Sequence, residues 1–488
     1  MTAPEQTIQE SELSAPRSVA GKTAFSALIR ESKWGPVTSL TVFMAAMLGL
    51  GFALLMPPFQ FNDEHAHFAR SYQISRGEFV GRPDSKIPAA VLASLLRYPE
   101  GFDPKSAPRT SFKDLFAGGA GDSDTSVQVE NVQGLRFFSH GILASQVYWT
   151  ACYLPASAGI RVARLLNMSP VAMLYAARLM NLLCFLAALA AALLLAPNFR
   201  AIMTALALMP MTLQQGVAVS ADQLTISLSL VGFALVLHTR EHQVSRRFLS
   251  MMFVVVPLWA LCKNSLWALP LLLLIPGSQF KDKRRRAAFL LGVTLTTALG
   301  FVCWRALTSD AFAQYAAAEL HKGVDFYANA RLLAIHPVKI MLDLAMSPDQ
   351  RVPDLFRQFV GTFGWGFNQL PLSLPYLEIL FVVACIELSP RPFTIIERAI
   401  LFLVFAAALI QTYAMLFVID GTVRNGHYAF WAAGVQGRYL IPFCLAGFLA
   451  LRQNAITVPT RVLAPVVLAA STGYGLLTLA TINGFFYQ

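Results

Sequence analysis

The side chains best suited to chemistry lie in one short segment, 57–70, directly after the first strongly apolar run. Its charged and titratable residues are Asp63, Glu64, His65, His67 and Arg70. Collecting such groups at the mouth of a membrane helix is costly unless they have a use. Carboxylates and imidazoles in this setting could take a proton from a substrate hydroxyl.

One short helix must carry these residues. Pro57 and Pro58 end the preceding helix, because proline lacks the N–H that a helix needs. Asn62 is a good N-cap, the two acids fall in the first turn, and Gly77 supplies the C-terminal stop. The sequence therefore predicts a helix over 63–76. A simpler interpretation stays open, in which the acids only stabilise an ordinary loop helix.

Further polar residues stand at the ends of apolar runs elsewhere in the chain. They are Asp222, Lys263, Asn264, Gln436, Arg438 and Tyr439. The guanidinium of Arg438, between glycine and tyrosine, suits bidentate binding of phosphate or carboxylate. Asp222 could instead be an ordinary acid of a first helical turn, and Lys263 an interfacial lysine that reaches toward headgroups.

A metal site is an alternative use of the same residues. His65 and His67 could be ligands, but one turn with one or two carboxylates is a weak pattern, and hydrogen-bonded loop histidines are the simpler interpretation. A divalent cation among Asp63, Glu64 and Asp222 is a second version. The sequence predicts no certain cofactor.

Composition defines the class of protein. Of 488 residues, 56% are hydrophobic and only 13% are charged, about half the charged fraction of soluble domains. Apolar windows of helical length recur throughout, which predicts an all-α, polytopic membrane protein. The net charge of +11 resides mostly in short loops, where it sets orientation and contacts anionic lipid, so we predict no nucleic-acid partner. The six cysteines have no metal-ligand spacing and predict no disulfide framework.

The basic loops predict a topology of about eleven spans after a cytoplasmic tail, 1–35, with a single transmembrane domain over 36–488. The predicted spans are 36–56, 170–195, 199–218, 223–238, 247–261, 264–277, 287–305, 370–388, 398–419, 438–451 and 461–483. This topology implies three extracytoplasmic loops, 57–169, 306–369 and 420–438.

Two of these loops carry predicted helices. We expect 138–166 to be an amphipathic helix on the outer membrane surface, since it also contains His140, Arg161 and Arg164. The pieces 312–322 and 327–335 are helix-compatible. The stretch 97–130 is rich in Gly, Asp, Ser and Pro and predicts irregular structure.

This topology brings the unusual polar residues to one side of the membrane, where they could converge on an outward-facing cavity. No phosphate-binding loop, dinucleotide fingerprint or serine elbow occurs in a usable context. Acids for proton abstraction together with cations for a departing phosphate indicate group transfer from a lipid-phosphate donor.

The motifs also resemble those of a known group. Pro57-Pro58 with Asp63-Glu64-His65-Ala66-His67-Phe68, then Ser220-Ala221-Asp222, then Gly434 to Pro442 resemble the signature of a bacterial polytopic membrane-protein family of unknown function. That family is similar in layout to the GT-C glycosyltransferases, which use polyprenyl-phosphate sugars outside the cytoplasmic membrane. Asn62 stands where the family more usually has proline, and His65 replaces a common proline.

The resemblance implies a GT-C-like fold whose first outer loop carries juxtamembrane helices and a catalytic acid. It places Asp63 as base with Glu64 beside it, and leaves open which acid acts. It implies Lys263 and Arg438 as donor-phosphate binders. His67, Arg70, Asp222, Gln436 and Tyr439 would support them.

The predicted function is therefore an integral glycosyltransferase of the bacterial cytoplasmic membrane. It would move sugar from a polyprenyl-phosphate donor to a glycan, lipid or protein acceptor of the cell envelope. Two alternatives remain at this point. One is a transporter or flippase of polyprenyl-linked glycans; the other is a non-catalytic partner in envelope polysaccharide assembly.

Overall fold

The computed structural model describes residues 35–82, 86–88, 91, 126–128, 136–347, 352–363, 368–370, 373–388, 391–431, 434–452 and 456–487. Most of these residues are helical. The α-helices are α1 (Pro36–Leu55), α2 (Glu64–Ser75), α3 (Arg136–Val147), α4 (Leu154–Leu165), α5 (Pro170–Leu195), α6 (Arg200–Leu208), α7 (Pro210–Val217), α8 (Ala221–Glu241), α9 (Arg246–Leu261), α10 (Lys283–Leu307), α11 (Ser309–Leu320), α12 (Phe326–Ile335), α13 (Pro337–Ala345), α14 (Val352–Gly361), α15 (Ser373–Ile386), α16 (Ile395–Asp420), α17 (Ile441–Ala450) and α18 (Thr460–Tyr487).

Short 3₁₀ turns and small sheets complete the described structure. The 3₁₀ segments are Thr150–Tyr153, Pro197–Phe199, Cys262–Asn264, Leu266–Leu274, Gly277–Gln279 and Gly437–Leu440. Each sheet is an antiparallel pair: β1 (Lys86–Pro88) with β2 (Ser126–Gln128), β3 (Thr362–Phe363) with β4 (Asn368–Gln369), and β5 (Gly421–Arg424) with β6 (His427–Phe430).

Within the described residues, seven helices are long and apolar enough to cross a membrane. They are α1, α5, α8, α9 with its 3₁₀ extension to Asn264, α10, α16 and α18. Each corresponds to one of the predicted spans, so the description as a polytopic helical membrane protein is confirmed. The prediction of eleven spans is not.

The other four predicted spans are shorter or broken helices. The segment 199–218 divides at Met209, whose ψ of 131° is extended, before Pro210. The segment 264–277 is mainly a 3₁₀ helix, Leu266–Leu274, which contains Pro270. The remaining two, 370–388 and 438–451, contain helices α15 and α17 of 14 and 10 residues. At about 1.5 Å per residue, none of these helices alone crosses a hydrocarbon core of about 30 Å.

The burial of the long helices separates central from peripheral positions. In α8, 78% of the most apolar window is buried inside the protein, against 11% in α10 and 17% in α16. Helix α8 packs on both α5 and α9, whereas α10 packs mainly on α9. The exposed apolar residues of α10 and α16 therefore face the lipid, as expected for outer helices of a membrane bundle.

The described part of the long connection after α1 includes helices α2, α3 and α4. The predicted single amphipathic helix over 138–166 is wrong in detail, because the 3₁₀ turn Thr150–Tyr153 divides α3 from α4. The guanidinium groups of Arg161 and Arg164 each donate to the carbonyl of Ser75 at 3.2 Å, so α4 is packed on the end of α2. Irregular structure was predicted over 97–130; most of that stretch lies outside the described residues, but 126–128 is strand β2.

Two expected helices of the later connection are present. The pieces 312–322 and 327–335 correspond to α11 and α12. Asp325 caps α12 by accepting the backbone N–H groups of Tyr327 and Ala328 at 2.9 and 3.0 Å. Asn329 then donates to the carbonyl of Gly421 at 2.9 Å, which fixes α12 against the end of α16.

A buried polar cluster closes the opposite end of the bundle. Arg240, at the end of α8, forms two hydrogen bonds with Glu397 near the start of α16, at 2.7 and 2.9 Å. It also donates to the carbonyls of Arg391 and Pro392. Nearby, Glu387 accepts the first N–H groups of α6 at 2.8 and 3.0 Å, where a helix dipole favours a carboxylate. These contacts join the end of α8 to the start of α16, and the start of α6 to the residue after α15, although these segments are far apart in the sequence.

Candidate functional site

Four charged side chains from four separate segments meet at one end of the helices. Arg438 donates to Asp63 at 2.6 Å, and Lys263 donates to Asp222 at 2.6 Å. We call these four residues the charge cluster. Asp63 precedes α2, Asp222 lies in the first turn of α8, Lys263 ends the span of α9, and Arg438 lies in the 3₁₀ turn before α17. The structure thus brings together residues that the sequence placed at the same ends of their helices.

Tyr439 connects the two ion pairs. The Lys263 ammonium lies 4.6 Å from the centre of the Tyr439 ring, and the Arg438 guanidinium carbon lies 5.3 Å from it. The ring centre of Tyr148, a residue that sequence reasoning missed, lies 6.0 Å from the same ammonium. Aromatic faces near cations stabilise positive charge where water is scarce. Both cations therefore lie near the same aromatic ring.

The two acids of the first motif have different surroundings. The side chain of Asp63 is 45% exposed, while that of its partner Arg438 is 5% exposed. Glu64 is fully buried and forms an ion pair with Arg178 at 2.6 Å. Only Asp63 of the two is therefore accessible to a substrate, and Glu64 lies outside the charge cluster.

Local backbone geometry explains why Asp63 faces the cluster. Asn62 was predicted to cap the helix, but Asp63 occupies the N-cap position, with φ of 62°, and its side chain makes no capping hydrogen bond. The carboxylate is bonded to Arg438 instead. A left-handed backbone is unfavourable for a residue with a Cβ, so the surrounding structure must hold it.

The same strain occurs at Lys263. Of the six non-glycine residues with positive φ in the described part of the chain, three lie at or beside the charge cluster: Asp63, Lys263 and Asn264. The side-chain amide of Gln411 donates to the carbonyl of Asn264 and so supports this tight turn. Strained backbone held by neighbouring groups is a feature of functional sites.

The turn that carries Arg438 depends on a glycine. The N–H of Gly437 donates to the Gln358 side chain of α14 at 2.9 Å, and a Cβ at 437 would collide with the carbonyl of Leu355. The backbone carbonyl of Gln436 accepts the N–H of Tyr439 at 3.0 Å and begins the turn. Gln436 therefore supports the turn through its backbone carbonyl.

His67 and Arg70 lie one and two turns into α2. The Nδ1 atom of His67 is 2.9 Å from the Tyr153 hydroxyl, and its ring packs near Tyr148. Arg70 is buried and donates to the carbonyls of Glu78 and Phe79 at 3.0 and 2.7 Å. His67 thus borders the charge cluster, whereas Arg70 closes the loop after α2.

Electrostatics favour a charged Asp63 and a neutral His67. Loss of solvation opposes ionisation of Asp63, but the charge and hydrogen bond of Arg438, together with the smaller effects of His67 and Lys263, hold the pKa of Asp63 below its usual value. Burial lowers the pKa of His67 to about 4, despite the nearby Asp63 carboxylate. Burial likewise raises the pKa of Tyr148. At neutral pH the site therefore contains a carboxylate and an uncharged imidazole.

A cleft of about 130 Å³ opens beside the charge cluster. Its polar end is formed by Asp222, Lys263, Tyr148 and Tyr439. The remaining wall, largely apolar, comes from α16, α17 and the segment after Lys263, and includes Trp267, Gln411, Thr412, Met415, Leu416, Ile419 and Phe443. Such a cleft can accommodate a molecule with one anionic end and an apolar body.

The arrangement does not provide the divalent-cation site suggested by Asp63, Glu64 and Asp222. Each carboxylate already has a different cationic partner, namely Arg438, Arg178 and Lys263. In the described ranges, no three His, Cys, Asp or Glu side chains form a group that could hold a metal. His65 stacks on Phe59 at 4.6 Å between ring centres, in a different environment from that of His67.

Comparison with known proteins identifies the family. A family described as "Predicted membrane protein (DUF2142)" matches residues 46–446, which include every residue of the charge cluster. No curated protein and no solved structure shows a significant match to the chain. Since the family match spans most of the 488 residues, the chain belongs to the DUF2142 family of predicted membrane proteins.

Proposed function

We propose that the protein is a membrane glycosyltransferase. It transfers a sugar from a polyprenyl-phosphate donor to a hydroxyl group of an envelope glycan, lipid or protein. One observation carries this proposal: the Lys263–Asp222 pair lines the polar end of a cleft whose other wall is largely apolar, and the Arg438–Asp63 pair adjoins it at Tyr439. Anion recognition and apolar burial in one site suit an amphiphilic phosphate better than a water-soluble nucleotide.

The cleft suggests how the donor binds. The side chain of Lys263 is 21% exposed and lines the cleft, so its ammonium can meet an entering phosphate. The prenyl chain would follow the wall that includes Met415, Leu416 and Ile419 of α16, a helix that is mostly exposed to lipid. Asp222 holds the ammonium in place through its 2.6 Å contact.

In this proposal, the ion pair between Arg438 and Asp63 controls when Asp63 can act as a base. In the free protein its guanidinium is bonded to Asp63, which keeps that carboxylate ionised but weakly basic. A donor phosphate competes with Asp63 for the same guanidinium. Binding of the donor therefore weakens the contact of Asp63 with its counterion and makes the carboxylate a better base.

The transfer step follows from these positions. The acceptor hydroxyl oxygen forms a bond to the anomeric carbon of the sugar, and its proton passes to the Asp63 carboxylate. The bond between the anomeric carbon and the phosphate oxygen breaks, and the electron pair leaves with polyprenyl phosphate. Lys263 and Arg438 stabilise the charge that develops on that phosphate.

The direction of the site across the membrane is inferred from a single helix. Helix α9 begins at Arg246 and Arg247, and its span reaches Lys263 at the other end. Basic residues flanking spans mark the cytoplasmic side. The charge cluster would therefore face away from the cytoplasm, where polyprenyl-phosphate sugars can meet envelope acceptors.

The proposal is tested by mass spectrometry of envelope glycans from a strain that lacks the protein. We expect one sugar substituent to be missing, restored by the wild-type chain and not by the Asp63→Asn variant expressed at equal level. An unchanged glycan profile would refute the proposed activity. Restoration by Asp63→Asn would refute the role of Asp63 as base.

A further inference from the structure

A further ion pair, fully buried, involves Glu64, the residue that follows Asp63 of the charge cluster. Arg178, within α5, and Glu64, at the start of α2, both have fully buried side chains. The Arg178 guanidinium donates to both Glu64 carboxylate oxygens, at 2.9 and 2.6 Å. It also donates to three carbonyls where α1 ends, those of Ala53, Met56 and Pro57, at 2.8 to 3.0 Å. The pair thus fixes the exit of α1 against the middle of the bundle.

Glu64 extends this network to two segments that are far from each other in the sequence. Its carboxylate accepts the N–H of Phe59 at 3.1 Å, in the segment that leads to Asp63. It also accepts the N–H of Val219 at 3.4 Å, three residues before Asp222. One carboxylate therefore holds the backbone leading to both acids of the charge cluster.

Helix α5 makes a parallel contact one turn further on. The side-chain amide of Asn181 donates to the backbone carbonyl of Ala218 at 2.7 Å. The backbone carbonyl of Asn181 accepts the side-chain amide of Gln223 at 3.1 Å. The segment 218–223 is thus held on both sides of Asp222 by Asn181, which lies one turn from Arg178 on the same helix. The spacing between the segments of Asp63 and Asp222 is set from α5.

We propose that Glu64 and Arg178 are a positioning pair that sets the spacing of the two acids, and that Glu64 is not an alternative base. This inference rests on the proposed function for its catalytic consequence, but its geometric part stands alone. A buried ion pair costs desolvation that apolar packing would avoid, so stability alone is a weak reason to keep one. Here the pair supplies directional bonds to the segments that precede both acids.

Hydrogen exchange tests the geometric part on the purified full-length protein. In the Glu64→Gln variant we expect the amides of Phe59 and Val219 to lose protection together, since both donate to the replaced carboxylate. The control is Glu397→Gln, which breaks the Arg240 pair at the opposite end. If neither amide changes in Glu64→Gln, if only one does, or if the control changes both, the positioning pair is refuted.

The catalytic part is tested by separating binding from turnover. For Glu64→Gln, we expect binding of polyprenyl phosphate, the probe, to stay within about threefold of wild type while sugar transfer falls at least tenfold. Glu64→Asp, which keeps the charge, should recover part of the turnover. If binding and turnover fell equally, in proportion to the amount of folded protein, the role of Glu64 would be purely structural. That result would refute the positioning role. A wild-type protein that transfers no sugar would refute the proposed function, while the exchange result would still decide the geometry.

Discussion

Asp63 and Arg438 are separated by 375 positions in the sequence, yet their side chains form a 2.6 Å ion pair. The carboxylate of this pair is half exposed and the guanidinium is buried. A ligand can therefore approach the acid directly, whereas the arginine is reached only by replacing the acid as its partner. This asymmetry underlies the proposal that a donor phosphate releases Asp63 to act as a base.

Replacing Arg438 should weaken binding of a lipid phosphate. We expect Arg438→Gln to raise the Kd for polyprenyl phosphate at least tenfold, because a charge-assisted contact is lost. Arg331→Gln, at an exposed position of α12, is the matched control and should leave the Kd unchanged. Binding can be measured with the purified proteins in detergent. Equal affinities for wild type and Arg438→Gln would exclude Arg438 from the phosphate site.

Lys263 should contribute separately to the same binding. The Lys263→Met variant keeps the apolar stem but removes the ammonium that pairs with Asp222. We expect about a tenfold rise in Kd, and a strong salt dependence in wild type that the variant loses. Lys322→Met is a suitable control, because Lys322 is 25% exposed and forms a comparable pair with Glu319. Similar salt dependence in all three proteins would contradict this role.

His67 should make the protein less stable in acid. Its pKa is about 4 in the folded protein and 6.5 in an unperturbed chain, so the unfolded state takes up the proton first as the pH falls. Stability linked to His67 is complete above about pH 6.5 and decreases between pH 6.5 and about 4. We expect the Tm of wild type to fall over this range and that of His67→Gln to fall less. Exposed His336→Gln is the control, and the same pH dependence in all three would disprove the assignment.

The polar cluster at the opposite end should matter for stability rather than activity. Arg240→Ala leaves Glu397 and two carbonyls without their buried partner, which we expect to cost about 3 kcal/mol. Arg357→Ala removes an ion pair with Asp354 whose side chains are 46% and 43% exposed, and should cost less than about 1 kcal/mol. Thermal unfolding in detergent compares the two. A similar Tm for both variants would contradict the structural role of Arg240.

The long helices could be predicted from sequence because their signal is local. An apolar run such as 170–195 has the length of a membrane span, and the structure begins and ends α5 at the same residues. The segments 199–218 and 264–277 could not be assigned in this way. Pro210 follows the extended residue Met209, and Pro270 lies inside a 3₁₀ helix; hydropathy registers neither departure from an α-helix.

The sequence indicated which residues belong to the candidate site, but it did not indicate which of them form pairs. Asp63, Asp222, Lys263 and Arg438 were conspicuous as charges at the ends of apolar runs. Which acid faces which cation depends on helix rotation and backbone strain, as at Asp63, and sequence periodicity does not specify these.

Arg178 was missed although the sequence contained a signal for it. It is a charged residue inside the apolar run 170–195, and an ionisable group within a span usually has a partner. That rule would have directed attention to Glu64, the acid now found bonded to it. Tyr148 gave no such signal, because an aromatic residue in an amphipathic segment is ordinary.

The most direct test of the account is a transfer assay in proteoliposomes that contain the purified protein and a labelled polyprenyl-phosphate sugar fraction from the native membrane. The account predicts that wild type moves label to an acceptor without moving the donor across the bilayer. It also predicts that Asp63→Asn transfers none while still binding polyprenyl phosphate. Translocation of donor without transfer, or undiminished transfer by Asp63→Asn, would contradict it.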